Sequence, residues 1–170
     1  MSEVGVIIQT VLRNGRRSST LVGGILGQVN GPVRAYIYRH FRDEAAAPST
    51  NDIASALGMS YEAVTRALDE LAAAHAIVLQ PETHSIWMAH PFSGVPTDYT
   101  ATVGERTWYA NCGWDSIAIL ALLGDGSFAA KDPLTDTTNE WTVRDGLVTP
   151  GGVVHFLVPA RQFWDDIGYT

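Results

Sequence analysis

The sequence feature that most limits the fold is a pair of short helical patterns separated by only three residues, Gly-Met-Ser at positions 58–60. The first pattern starts near Thr50 or Asn51, either of which can cap a helix, and it ends at the glycine. The second is capped by the serine and extends to about His75. Its predicted buried stripe consists of Tyr61, Val64, Leu68 and Leu71. Two short helices joined by such a tight turn are typical of a helix-turn-helix.

The segments on either side extend this pattern into a small domain. A third helix is predicted before it, from Pro32 to about Phe41, because apolar residues recur there at helical spacing. An alternating segment, Ile77 to His90, follows it and is typical of a hairpin. Residues 32–90 are therefore predicted to form a winged-helix-like domain. The preceding segment, residues 1–31, is expected to be helical or partly disordered.

The charge of this predicted domain argues against a nucleic-acid partner. Residues 33–90 contain four arginines and seven acidic residues, a net charge of −3, and the whole chain carries −7 with a single lysine. The exposed side of the predicted helix that extends to about His75 combines Arg66 with Glu62, Asp69 and Glu70. Because a recognition helix needs a positive field to approach phosphates, nucleic acid is not expected to bind, and a packing role is favoured.

A change in composition predicts a domain boundary at residues 91–100, where two prolines and a glycine occur without periodicity, as in a linker. The second predicted domain, residues 101–170, combines one apolar helix, from about Trp114 to Leu123, with several short strands. The strand candidates are Thr107–Ala110, Ser127–Ala130, Glu140–Arg144 and Val153–Val158. The fold class is therefore predicted to be α+β, with a helical domain followed by a small mixed α/β domain.

Composition also predicts the cellular setting. The longest apolar run has seven residues, against the roughly 20 that a membrane-spanning helix needs, so no membrane association is expected. The charges that flank the apolar stretch near the N-terminus are opposite to those of a secretory signal. Cys112 is the only cysteine, which excludes an intramolecular disulfide. We therefore expect a cytoplasmic protein.

The residues most suggestive of chemistry lie at the start of the apolar helix. Cys112 and Asp115 are three positions apart, so their side chains project from one face if the helix begins at or just before the cysteine. The first turn of a helix favours a thiolate, whereas the nearby carboxylate disfavours it and offers a proton relay. A soft nucleophile beside an acid suits a soft metal or an electrophile.

Aromatic residues surround this pair in the sequence. Trp108, Tyr109 and Trp114 could form the walls of a substrate pocket, although aromatic residues near a domain junction are as often part of the core. A lone cysteine beside an apolar helix is also often a small buried apolar residue. On local chemistry alone, both interpretations of this segment remain open.

One longer run has a specific resemblance. Residues 91–124, PFSGVPTDYTATVGERTWYANCGWDSIAILALLG, resemble the central segment of organomercurial lyases (alkylmercury lyases). The shared features are a Pro-rich linker, Trp-x-x-x-Cys and Cys-x-x-Asp in the same order, and the resemblance extends weakly through 132–135 and 154–159. It implies a winged-helix-like domain followed by a small mixed catalytic domain.

The resemblance also implies a reaction, the protonolytic cleavage of a carbon–mercury bond. Cys112 would bind mercury as a thiolate, with Asp115 handling the proton and offering an oxygen to the metal, which is both substrate and product. No cofactor is implied, and small thiols would remove the mercuric ion. One departure stands out. Lyases of this kind have a second cysteine before a strand resembling residues 154–158, where this sequence has Gly151 and Gly152.

Three functions follow from these observations. The first is an organomercurial-lyase-like protein, an alkylmercury lyase if it is active, with Cys112 and Asp115 as catalytic residues. The second is a noncatalytic protein that binds a soft metal or an organometal, or senses it through a winged helix. The third is an interaction module in which the cysteine is inert. The sequence does not decide among them, nor does it indicate the oligomeric state.

Overall fold

A computed structural model describes residues 30–132, 134–154, 156 and 158–168. The chain has a mixed α+β fold, as predicted, with a helical N-terminal part and a following β-rich part. Nearly all of the predicted N-terminal segment, residues 1–31, lies outside the described residues.

Three helices open the described part of the chain. They are α1 (Gly31–Glu44), α2 (Thr50–Leu57) and α3 (Tyr61–Ala73). Gly58 ends α2 in the left-handed conformation, at a φ of 65°, and Ser60 caps α3 through the amide of Ala63, as predicted. The predicted cap of α2 was wrong by one residue. Ser49 occupies that position and forms a reciprocal capping box with Asp52.

We expect Ser49→Ala to lower the free energy of unfolding by about 1 kcal/mol, the usual cost of losing a helix cap. The Ser49 hydroxyl accepts a hydrogen bond from the Asp52 amide, and the Ser49 amide donates to the Asp52 carboxylate. Thr50→Ala is the matched control, because Thr50 lies inside α2 and should change stability by less than about 0.5 kcal/mol. Urea unfolding of the two variants measures the difference, and equal losses would contradict the assignment of the cap.

The buried face of α3 follows the predicted stripe with one exception. Val64, Leu68 and Leu71 are buried, and Ala67 joins them, but Tyr61 is 54% exposed. Tyr61 is the first residue of the helix, where its ring can extend into solvent. The predicted hairpin is present as β1 (Val78–Leu79) and β2 (Ile86–Ala89), and β3 (Phe92–Ser93) adds a third antiparallel strand.

The second part is an antiparallel sheet with one helix on it. Its strands pair in the order β5-β4-β6-β7-β8. Helix α4 (Gly113–Leu123) packs against β4 and β6. The strand bounds are β4 Tyr99–Val103, β5 Arg106–Tyr109, β6 Gly126–Lys131, β7 Thr138–Arg144 and β8 Leu147–Thr149.

Strands β4 and β8 were not predicted, and one predicted strand is not formed by its described residues. Strand β4 begins inside the segment 91–100, which was predicted to be a linker. The short alternating run that forms this strand was not recognised, because turn-forming residues directly precede it. The described residues of the predicted strand Val153–Val158 are not in a strand, and the last strand is β8, before Pro150. His155 and Leu157 of that range lie outside the described residues. A short 3-10 helix, Ala160–Gln162, follows.

The two parts of the chain share one hydrophobic core. Phe92, in the predicted linker, stacks on Phe41 of α1 with ring centroids 5.3 Å apart. Trp108 of β5 donates a hydrogen bond from its indole to the Phe41 carbonyl oxygen at 2.6 Å. These contacts run from the first helix to the large sheet, so Phe92 of the predicted linker packs as part of the core. The division into domains, and the identification of the first part as a winged helix, remain predictions.

None of the helices in the described part of the chain combines the length and the apolar character that crossing a membrane requires.

Candidate functional site

The start of α4 positions the two residues singled out from the sequence. Cys112 is the N-cap residue, in an extended conformation, and Asp115 lies in the first turn. The Ser116 amide donates to the Cys112 carbonyl oxygen at 3.1 Å, which begins the hydrogen bonding of the helix. An N-cap residue and the third residue of its helix lie on the same side. Both side chains accordingly line one cavity.

That cavity, of about 320 Å³, lies between α4, the end of β2 and the described residues from 150 to 168, which we call the C-terminal segment. Polar side chains line one part of it and apolar ones the rest. The polar group is His90, Asn111, Cys112 and Asp115. The other lining residues are Met88, Tyr99, Trp114, Phe156, Phe163, Ile167 and Gly168. The combination of a mostly apolar wall with a few convergent polar groups is typical of a small-molecule site.

Two neighbours hold the carboxylate of Asp115, which is only 14% exposed. Asn111 Nδ2 donates to Asp115 Oδ2 at 2.8 Å, and His90 Nδ1 lies 3.3 Å from the same oxygen. The backbone of His90 is held in turn by Tyr38, whose hydroxyl donates a hydrogen bond to the His90 carbonyl oxygen at 3.1 Å. The carboxylate is therefore oriented through one of its two oxygens.

Neither His90 nor Asn111 was predicted from the sequence as a site residue. His90 is 25 positions from Asp115, and the two meet only because the fold places the residue after β2 next to the first turn of α4. Asn111 directly precedes the cysteine, within the run 91–124 that resembles organomercurial lyases. That position was the one sequence signal that could have identified it as a site residue. The Oδ1 of Asn111 is buried without a hydrogen-bond partner among the described residues. Leaving such an acceptor unpaired costs about 1–3 kcal/mol.

Burial raises the pKa of the Cys112 thiol above its ordinary value of 9.0, and the negative charge of Asp115 raises it further. The backbone amides of Asp115 and Trp114 oppose this shift by favouring the thiolate. In the free protein the thiol therefore keeps its proton at neutral pH. A proton must leave the sulfur when a soft metal binds, and Asp115 is a nearby carboxylate that can receive it.

This arrangement predicts the pH dependence of Cys112 reactivity. Alkylation by neutral iodoacetamide should have its midpoint above that of an ordinary thiol, because only the thiolate reacts and the raised pKa delays its formation. Asp115→Asn should move the midpoint to lower pH, since it removes a like charge. Asp136→Asn, at an exposed position, is the control. A midpoint unchanged in Asp115→Asn would contradict the electrostatic role of Asp115.

The three aromatic residues predicted to form the pocket have different positions. Trp114 lines the cavity, but Trp108 and Tyr109 do not. Trp108 is 5% exposed and its indole is hydrogen-bonded to α1, so it belongs to the core. Tyr109, on the neighbouring position of β5, is 39% exposed. Successive side chains of a strand point to opposite faces of the sheet, which accounts for one of these residues being buried and the other exposed.

Aromatic residues of the C-terminal segment form the wall that the sequence analysis assigned to Trp108 and Tyr109. Phe156 meets Trp114 edge to face, with centroids 6.0 Å apart, and contacts Phe163 at 5.7 Å. Trp164 stacks on His75 at 3.9 Å and touches His90 edge on. These contacts attach the C-terminal segment to both parts of the chain and close one side of the cavity.

No preformed site for a metal cofactor is evident in the part of the chain that the structure describes. Among those residues, no three His, Cys, Asp or Glu side chains are grouped so that they could hold a metal ion.

Comparison with known proteins adds a likeness of fold. No protein-family model and no curated protein match the sequence. Among solved structures, the chain is similar to the mercury-bound form of MerB2, with a TM-score of 0.59 and 24% sequence identity. The match covers 82% of this chain and 66% of that chain, so the chain spans a little under two thirds of the length of MerB2. At this identity the likeness establishes a shared fold.

Proposed function

We propose that this chain is an organomercurial-lyase-like protein that cleaves a carbon–mercury bond by protonolysis. The observation that carries the proposal is the shared cavity of Cys112 and Asp115 at the start of α4. A fold shared with a mercury-bound protein, MerB2, supports it, as does the resemblance of residues 91–124 to organomercurial lyases. Cys112 binds the metal and Asp115 handles the proton.

The proposed reaction begins when an organomercury cation meets the Cys112 thiol. A mercury–sulfur bond forms, and the thiol proton passes to the Asp115 carboxylate. Electron donation from sulfur makes the mercury-bound carbon more basic. Asp115 then gives its proton to that carbon, and the electron pair of the carbon–mercury bond becomes the new carbon–hydrogen bond. The hydrocarbon leaves, and the mercuric ion stays on Cys112.

Asn111 and His90 position the proton carrier in this proposal. Both contact Oδ2 of Asp115, at 2.8 and 3.3 Å. Oδ1 is then the oxygen that receives the cysteine proton and delivers it. Because the carboxylate is held at one oxygen, its rotation is limited. Such preorganisation lowers the activation free energy, since the proton carrier does not have to be reoriented during the reaction.

The second ligand of mercury comes from solution in this proposal. The chain has one cysteine, and Gly151, at the place of the second cysteine of the lyases, is exposed and does not line the cavity. A small thiol can add to mercury from the open side, and a second one can displace Cys112 and remove the ion. Asp115 remains available as a weaker oxygen ligand.

A noncatalytic binder is the second candidate, and the single cysteine favours it. With only one protein thiolate, less electron density reaches the mercury-bound carbon than with two, so an organomercurial could stay bound intact. Such a protein would retain the carbon group, whereas a lyase would lose it. The fate of that group therefore separates the two functions.

The experiment is intact-mass spectrometry after addition of one equivalent of phenylmercury and incubation. The lyase proposal predicts that the adduct first carries phenylmercury and later mercury alone, as benzene leaves. An adduct that keeps the phenyl group indefinitely would establish the binder instead. Cys112→Ser is the control for other attachment sites and should show no adduct, because the sequence has no second cysteine.

A further inference from the structure

The cavity beside Cys112 is much larger than a small alkyl group on mercury requires. Its volume is about 320 Å³. An apolar cavity of about 150 Å³ is already enough to bind benzene. A methyl group would leave most of the space filled by water against apolar walls, whereas an aromatic ring would displace that water.

The walls of this space are aromatic on the side of the C-terminal segment. Phe156 contacts both Trp114 and Phe163 there, with ring centroids 6.0 and 5.7 Å apart. Such spacing leaves ring faces and edges available to a further aromatic group, which pairs with them in offset or edge-to-face geometry. Met88 adds a buried thioether to the same cavity, and sulfur also packs well against aromatic rings.

The same three aromatic residues also line a second apolar cavity. It has a volume of about 560 Å³ and is otherwise bounded by Val158, Pro159 and Ala160. The aromatic group therefore presents apolar surface both to the cavity that contains Cys112 and to the cavity beside residues 158–160. A ligand with a bulky apolar group can extend in this direction.

We infer that the preferred ligands are organomercurials with an aryl or similarly bulky apolar group, selected by Phe156 and Phe163. This inference rests on the proposed function for the role of Cys112, and it adds the class of carbon group. The polar end of the cavity binds mercury and the aromatic wall selects the group attached to it. The protein distinguishes one carbon group from another by the apolar surface area that each group buries in the cavity.

A thiol-exchange equilibrium tests the inference without requiring cleavage. The organomercury complex of 2-mercaptoethanol is mixed with the Asp115→Asn variant, which is expected not to consume it. Mercury leaves the small thiol and bonds to Cys112, while the proton of Cys112 passes to the released thiol. Because a mercury–sulfur bond exists on both sides, the exchange constant reports the contacts of the carbon group.

Phenylmercury should exchange onto the protein with a constant at least about tenfold larger than that of methylmercury, a ratio that a few extra apolar contacts can supply. Phe156→Ala and Phe163→Ala should each reduce this preference about threefold or more, while leaving the methylmercury constant within about twofold. Phe156 is 41% exposed, so its truncation should leave the fold intact. Leu122→Ala, on the exposed side of α4, is the control and should change neither constant.

Equal constants for phenylmercury and methylmercury would overturn the inference, as would a preference unaffected by both phenylalanine substitutions. These outcomes are distinct from failure of the proposed function, which would appear as stable organomercury adducts on the unmodified protein. A binder that prefers aryl groups would thus support the inference and refute the lyase proposal.

Discussion

Replacement of Cys112 by serine is expected to abolish both mercury retention and hydrocarbon release. A serine hydroxyl is a hard, weakly acidic ligand that does not replace a thiolate on a soft metal. The sequence contains no other cysteine that could compensate. Release of benzene from phenylmercury in excess small thiol, measured by gas chromatography, should fall to the rate without protein, and the protein should contain no mercury after desalting.

Cys112→Ala separates the loss of the thiol from any effect of the serine hydroxyl. Both variants should keep the fold, since Cys112 is only partly buried and is not part of the hydrophobic core. Circular dichroism and thermal unfolding check this. Benzene release by either folded variant at the rate of the unmodified protein would contradict the assignment of Cys112 as the metal-binding residue.

The second large effect is expected for Asp115→Asn, which should slow hydrocarbon release by about 10²–10⁴-fold, the usual contribution of a positioned acid or base. Asparagine keeps the shape of the side chain and cannot carry the proton from sulfur to carbon. Mercury should still bind at one equivalent, because Cys112 is unchanged. Single-turnover benzene release and the mercury content of the desalted protein measure the two effects separately.

Asp136→Asn is the matched control for this substitution. It makes the same chemical change in an exposed loop, where Asp136 pairs with Lys131, away from the cavity. Its rate should equal that of the unmodified protein. Release undiminished in Asp115→Asn would show that the proton reaches carbon by another route, and a matching loss in Asp136→Asn would indicate a general effect of charge.

Much of the fold was predictable because its first part is built from local signals. The apolar period of α3, Gly58 in the left-handed conformation and the cap at Ser60 each act within a few residues. The cap of α2 was misplaced because Ser49, Thr50 and Asn51 are all suitable, and only the reciprocal contact with Asp52 selects the first.

The relative position of Cys112 and Asp115 at the start of α4 was also predictable from a local pattern. A spacing of three residues fixes the relative direction of Cys112 and Asp115 once the helix begins at Gly113. Their presence in one cavity depends on tertiary packing as well, because α4 lies beside the end of β2 and the C-terminal segment.

The rest of the site depends on contacts between distant parts of the chain. His90 reaches Asp115 across 25 residues, and Phe156 reaches Trp114 across more than 40. Such contacts between distant residues do not appear in any periodic pattern of the sequence. Trp108 was assigned to the pocket because it is close to Cys112 in sequence, whereas its hydrogen bond to the Phe41 carbonyl oxygen places it in the core.

The most direct test of the central claim is hydrocarbon release by the unmodified protein. Phenylmercury is supplied with excess 2-mercaptoethanol, and benzene is measured over time against the Cys112→Ser and Asp115→Asn variants. The proposed mechanism predicts repeated turnover that is lost in the first variant and reduced at least about a hundredfold in the second. Absence of benzene above the rate without protein, with phenylmercury held intact on Cys112, would contradict it.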